Sequence, residues 1–101
     1  MVERIIAAAY KVKPEFVCTK NIVRKFNARE PDDIYHLRIG RHHAEILHIF
    51  GKEVDHHTDG FYTSFGRWVD REEAAQIALA SGQCKEPLIM GTRLDSSDIY
   101  P

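Results

Sequence analysis

Cysteine is scarce in this chain. Cys18 and Cys84 are the only two and neither lies in a CxxC spacing, which excludes a disulfide framework and a thiolate zinc site and fits reduced thiols. No apolar run reaches membrane length. The apolar start, MVERIIAAAYKV, is too short for a secretory core segment and ends on charge, so the chain reads as mature and cytoplasmic. An excess of charge of one sign is missing too. A net charge of −1 leaves no basic surplus for a nucleic-acid polymer, whereas a small anionic ligand needs only a few arginines. There is no internal repeat, linker or low-complexity tract. The 44% apolar and 29% charged content is ordinary for a globular protein. A length of 101 residues points to one domain, 1–101, with about a third of its unfolded surface left exposed, a size that dimerisation would help.

The local signals agree most densely from Gly60 to Gln83. Phe61, Thr63 and Phe65 alternate with Tyr62 and Ser64, Gly66 permits a tight turn, and Arg67 to Val69 lead back, which reads as strand, turn and strand. Asp70 followed by Glu73 is a capping-box variant that opens a helix, with Val69 and Ala74 as its staple. Ala74, Ile77, Ala78 and Ser81 form one stripe, and Gly82 stops the helix.

Upstream, Arg4 to Val12 is a nearly continuous apolar run that reads as a buried strand, although Ala7 to Ala9 would suit a helix. Pro14 breaks it, and Glu15 to Thr19 reads as the second strand of an N-terminal hairpin. Lys20 to Asp33 is polar and reads as a loop or insertion, with an irregular edge strand at Asn21 to Phe26 as the alternative. Tyr35, Leu37 and Ile39 alternate as in a half-buried strand ended by Gly40. His43, Ile46, Leu47, Ile49 and Phe50 are spaced for a helix that Gly51 caps. Asp55 to Gly60 is turn chemistry, Lys85 to Gly91 a surface loop, and Leu94 to Tyr100 a terminal turn started by Asp95 or Ser96. The expected fold class is α+β: a small antiparallel sheet, made of an N-terminal hairpin plus short strands, packed with two short helices at about 42–50 and 71–81.

Gly40-Arg41-His42-His43 falls at a helix start, where free amides and the dipole favour an anion and Arg41 can add a bidentate contact. The plain alternative is that Arg41 is solvated and His43 packs on the apolar face. Phe61, Tyr62, Phe65 and Trp68 crowd one segment; beside arginine they suit a nucleobase, and otherwise they are core. Arg67, Arg71 and Arg93 can supply phosphate contacts or simply be solvated. Six histidines invite a metal, but His43 and His48 do not share a helix face and no CxxC completes a site, so no metal is expected. Cleavage of a phosphodiester by His42 or His43 is the enzyme reading, and it needs a second histidine from elsewhere in the fold.

The ERIIAAAYKV strand, the GRHHAEIL helix start, the GFYTSFGRWVDREEAAQIALASGQ stretch and the LDSSDIY tail together resemble the first Thoeris anti-defence family. These are phage sponge proteins that sequester cyclic ADP-ribose signals made by bacterial TIR-domain enzymes. The likeness covers most of the chain and leaves out Lys20 to Ile39, expected to be a variable insertion or a long hairpin. It implies a non-enzymatic cytoplasmic binder in the infected host, at least a homodimer, that needs no cofactor and releases its nucleotide unchanged. Some members of that family also hold cyclic oligonucleotides. Carried over residue by residue, it implies ligand contacts from Arg41, His42, His43, Phe61, Thr63, Ser64, Arg67, Arg71 and Arg93. Asp70 matches as well, but a carboxylate repels a pyrophosphate, so its expected role is the helix cap. A module that docks on a host protein through the Ala74 to Ser81 face is the remaining alternative.

Overall fold

The computed structural model describes residues 2–16 and 36–100. Its strands are β1 (Ile5–Lys11), β2 (Leu37–Gly40), β3 (Gly60–Thr63) and β4 (Trp68–Asp70), and its helices are α1 (His43–Phe50) and α2 (Arg71–Ala80). The strands form one antiparallel sheet in the order β2-β1-β3-β4. The fold is therefore α+β. Ala8, Tyr10, Phe61 and Val69 share a core cluster with Ile46 of α1 and Ala74, Ala75 and Ala78 of α2. Both helices thus cover the same sheet face, and strand alternation turns Ala9, Ile39, Tyr62 and Trp68 to the other.

β1 sits between two neighbours, which explains its lack of polar residues before Lys11 and excludes the helical reading of Ala7 to Ala9. Its register shifts between Ile5 and Ala7, leaving Ile6 exposed as in a bulge. Distant side chains take up the backbone there. The Gln83 amide accepts from Ile5 N at 2.7 Å and donates to Ile5 O at 2.8 Å, and the Tyr100 hydroxyl donates to Ile6 O.

The N-terminal hairpin expectation needs correction. Pro14–Phe16 form a 3-10 turn, since proline fixes its own backbone angle and brings no donor to a ladder; residues 17–19 lie outside the described residues. The antiparallel neighbours of β1 are β2 and β3 instead, and the ladder with β2 is continued by Val12 N donating to His36 O at 2.8 Å. Leu37 and Ile39, read above as alternating positions of a half-buried strand, lie in β2 of the sheet. The loop and edge-strand readings of 20–33 fall outside the described residues. Gly51 follows α1 at φ −52°, in the right-handed region, so the helix ends on a turn in which Glu53 N donates to Phe50 O at 2.8 Å and not on a left-handed cap.

Elsewhere the local chemistry acts as expected. Gly66, at φ 78°, closes the β3–β4 turn, where its N donates to Thr63 O at 2.9 Å. The Asp70 carboxylate accepts from Glu73 N at 2.8 Å, while the Glu73 side chain turns to Arg67 at 2.7 Å. At the other end of α2, Gln83 N donates to Ala78 O and Gly82 N to Leu79 O, with Gly82 at φ 78°: a Schellman ending. The buried stripe of α2 is Arg71, Ala74, Ala75 and Ala78, one position round from the expected one because Ile77 and Ser81 lie at its rim. Asp95 starts the terminal 3-10 turn Ser96–Asp98 through a capping box with Asp98.

Phe61 is fully buried and Tyr62 only partly so. Truncating Phe61 to alanine is expected to cost about 3–5 kcal/mol, as for a core phenylalanine, and Tyr62→Ala much less. Denaturant midpoints compare the two, and equal losses contradict the assignment of faces. Asp70→Ala is expected to cost about 0.5–2 kcal/mol through the lost cap, with the α2 amides losing protection first in hydrogen exchange; an unchanged midpoint contradicts it.

Candidate functional site

The candidate residues fall into two groups at the two ends of β3. At the Thr63 end, the Arg67 guanidinium lies between Glu3, at 2.8 Å to each of its carboxylate oxygens, and Glu73 at 2.7 Å. Thr63 is buried and donates to Glu3, and Ser64 Oγ accepts from Arg4 N at 2.9 Å. The Arg67 hydrogen bond and charge outweigh burial and hold the Glu3 carboxyl below its usual value, and the two carboxylates raise that of Arg67. An arginine already facing two carboxylates is a poor anion receptor, so this end reads as a clamp joining the N-terminus, the β3–β4 turn and α2.

The Gly60 end holds the rest. Arg71 is buried: its Nε donates to Asp59 at 2.6 Å and its Nη1 to Leu94 O at 2.8 Å, and its guanidinium lies over the Phe61 ring at 5.9 Å. Burial pushes the Asp59 carboxyl up, but the hydrogen bond and charge of Arg71 outweigh it and the carboxyl stays below its usual value. Arg93 reaches the same carboxylate only at 3.9 Å and is half exposed. Phe61 has no exposed surface to offer a ligand, which corrects the stacking role expected of it. His43 is buried beside it, with Nε2 at 2.7 Å from the Gly60 carbonyl oxygen.

Arg41 and His42 stand in front of α1. His42 occupies its N-cap position in extended conformation and makes no side-chain hydrogen bond to the first turn, which leaves the amides of His43 and Ala44 without a capping side chain. Its Nδ1 shares a hydrogen bond with Ser96 Oγ at 3.1 Å. The Tyr100 ring meets His42 edge-on at 6.3 Å, and the exposed Arg41 guanidinium lies over that ring at 5.4 Å. In the sequence Ser96 stands out only as a candidate turn starter and Tyr100 not as a site residue; the LDSSDIY tail signals a turn, but nothing in it places that turn against α1. An open, mostly apolar groove of about 500 Å³ begins at this helix end, lined by Ile39, Gly40, Ala44, Ile46, Ile49 and Phe50, with Glu45 and His48 also on its wall. Among the described residues no group of three or more His, Cys, Asp or Glu side chains is placed to hold a metal.

Because the folded state depresses the Glu3 carboxyl, its ion pair adds stability in full above about pH 4.3, the unfolded value, and loses it as acid protonates the group. Glu3→Gln is therefore expected to lower the thermal midpoint at pH 7, with the gap to the parent closing as pH falls through 4. A gap that stays constant with pH contradicts the pairing.

Among the described residues no helix is long and apolar enough to cross a membrane. No curated protein and no solved structure matches the chain. A family model does match, described as Phage T4 y16D protein, over residues 4–100. The match runs through the β1–β2 connection as well as the strands and helices around both ends of β3, and the chain therefore belongs to the phage T4 y16D protein family.

Proposed function

We propose that this phage protein is a non-enzymatic sponge. It binds a small cyclic nucleotide messenger of the infected cell, of the cyclic ADP-ribose type or a cyclic oligonucleotide, and withholds it uncleaved in the host cytoplasm as a homo-oligomer. The observation that carries the reading is the uncapped amino end of α1 faced by Arg41, His42 and Tyr100. Free amides and the helix dipole favour a phosphate there, an exposed guanidinium adds a charge-assisted contact, and the apolar groove that runs along α1 from Gly40 and Ala44 suits a ribose or base. The resemblance to anti-defence sponges supplies the ligand class. Arg93, half exposed and loosely paired, can also turn toward phosphate.

The arrangement favours holding over cleaving. A base and an acid are needed for phosphodiester hydrolysis, whereas His43 is enclosed in the core and the hydroxyl beside His42 belongs to Ser96, which is buried in the terminal 3-10 turn. A buried hydroxyl is badly placed to attack a phosphate held at the exposed amino end of α1.

The test is retention. Protein incubated with cyclic ADP-ribose, or with cyclic di- and trinucleotides, is washed and heat-denatured, and the released material is analysed. Intact nucleotide is expected. Cleaved nucleotide makes the protein an enzyme, and release of none removes the reading. Arg41→Ala is expected to weaken retention about 10- to 100-fold, the loss of one charged hydrogen-bond contact of ~1.5–3 kcal/mol. Loss of retention in Arg67→Ala, with Arg41→Ala unaffected, moves the ligand to the Glu3 end of β3.

A further inference from the structure

His43 is the first residue of α1 and is 7% exposed. The Gly60 carbonyl can only accept, so the proton of the neutral ring sits on Nε2, 2.7 Å away, and Nδ1 carries a bare lone pair. Among the described residues Nδ1 is buried without a hydrogen-bond partner. Tyr10 and Phe61 meet the ring edge-on from both sides at 5.3 and 5.0 Å. A second proton would therefore create a charge and a donor at a buried place where none of the described groups accepts it.

We infer that His43 is an acid-sensitive latch: a proton on Nδ1 drives the ring from between Tyr10 and Phe61, breaks its bond to Gly60 and frees the first turn of α1 from the sheet. The groups around it do not rescue the charged form. Arg71 of α2 repels it, and so does the positive amino end of α1 itself. Asp59 attracts it but is held by Arg71 at 2.6 Å, and Asp95 of the tail, which also attracts it, already accepts from Ser97 N at 3.0 Å. Tyr10 of β1 brings no negative charge, because burial, with the charge of Asp59 adding to it, pushes its hydroxyl up. Burial first, and Arg71 second, hold the imidazole below its ordinary value against the pull of Gly60, Asp59 and Asp95. The unfolded or detached ring takes up its proton near about pH 6.5. The latch is accordingly closed above that pH and weakens as pH falls below it.

Hydrogen exchange on the ligand-free protein, corrected for intrinsic rates, tests this independently of any nucleotide. Protection of the α1 amides is expected to fall by up to about tenfold per pH unit below about 6.5, the limit for one proton, while α2 keeps its protection. His43→Gln, whose amide can still donate to Gly60 but does not titrate, is expected to hold α1 protection level. Level protection in the parent, or an equal fall in the variant, overturns the latch. Should His43→Gln fail to fold, ring NMR of the parent decides. A ring that stays neutral until α1 opens supports the latch, and one that titrates near pH 6.5 with α1 closed overturns it.

Discussion

The close approach of chains at Gly60 is the constraint on which the arrangement depends. Its backbone pairs with Ala9 of β1 and with Asp70 at the end of β4, and its carbonyl takes the His43 hydrogen bond that seats α1. A Cβ at this position would fall 2.2 Å from Val69 O and 2.5 Å from Trp68 Cε2, inside any allowed contact. The aromatic ring that closes over the bare backbone is fixed in turn by its indole N–H donating to Thr58 O at 3.2 Å. One missing side chain thus aligns three strands and the start of a helix, and the residues on either side, Asp59 and Phe61, are carried into the ion pair and the core.

Arginine in this protein is divided by what faces it. Arg71 is buried against the partly exposed Asp59, and removing Asp59 costs up to about 3–5 kcal/mol because the guanidinium is left charged in a poor solvent. That cost ties both residues to the fold. Arg67, more exposed, is neutralised from two sides. Among the described residues Arg41 meets a single aromatic face, that of Tyr100, and turning it toward a phosphate breaks no ion pair with any of them. The same cation therefore has a structural use at one place and remains available at another, and burial together with the nearest carboxylate decides which.

These divisions are the part of the molecule that the sequence could not express. Caps and turns were legible because their chemistry is local: Asp70 with Glu73, Gly66, Gly82 and Asp95 each act within a few residues of themselves. β1 was legible because an apolar run without polar punctuation has to be covered. The pairing of β1 with β2 was not, since it joins segments separated by the whole of 17–35, and the 3-10 turn Pro14–Phe16 runs into the start of the strand expected at Glu15 to Thr19, which Phe16 and Val17 suggest. Phe61 was misplaced for a related reason. Period-two alternation divides Phe61 from Tyr62 but carries no sign, and only the helices packed on the sheet tell which face is the core. Ser96 and Tyr100 reach α1 through tertiary contact alone.

The histidines show how much the same side chain changes with its place. His56, exposed, bonds the Gly51 carbonyl at 2.7 Å; His42 shares a proton position with Ser96; His43 is enclosed with one nitrogen unused. Only the last couples the core to the α1 amino end, where the proposed anion sits. A phosphate there opposes the repulsion that disfavours a charged His43, since it offsets both the helix dipole and the field of Arg71. Ligand and proton are then linked with the same sign, and by reciprocity whatever the ligand adds to proton affinity the proton adds to ligand affinity for as long as the ring remains seated. The acid sensitivity of α1 is thus a property of the empty protein foremost, and a bound anion shifts the opening of the latch to lower pH.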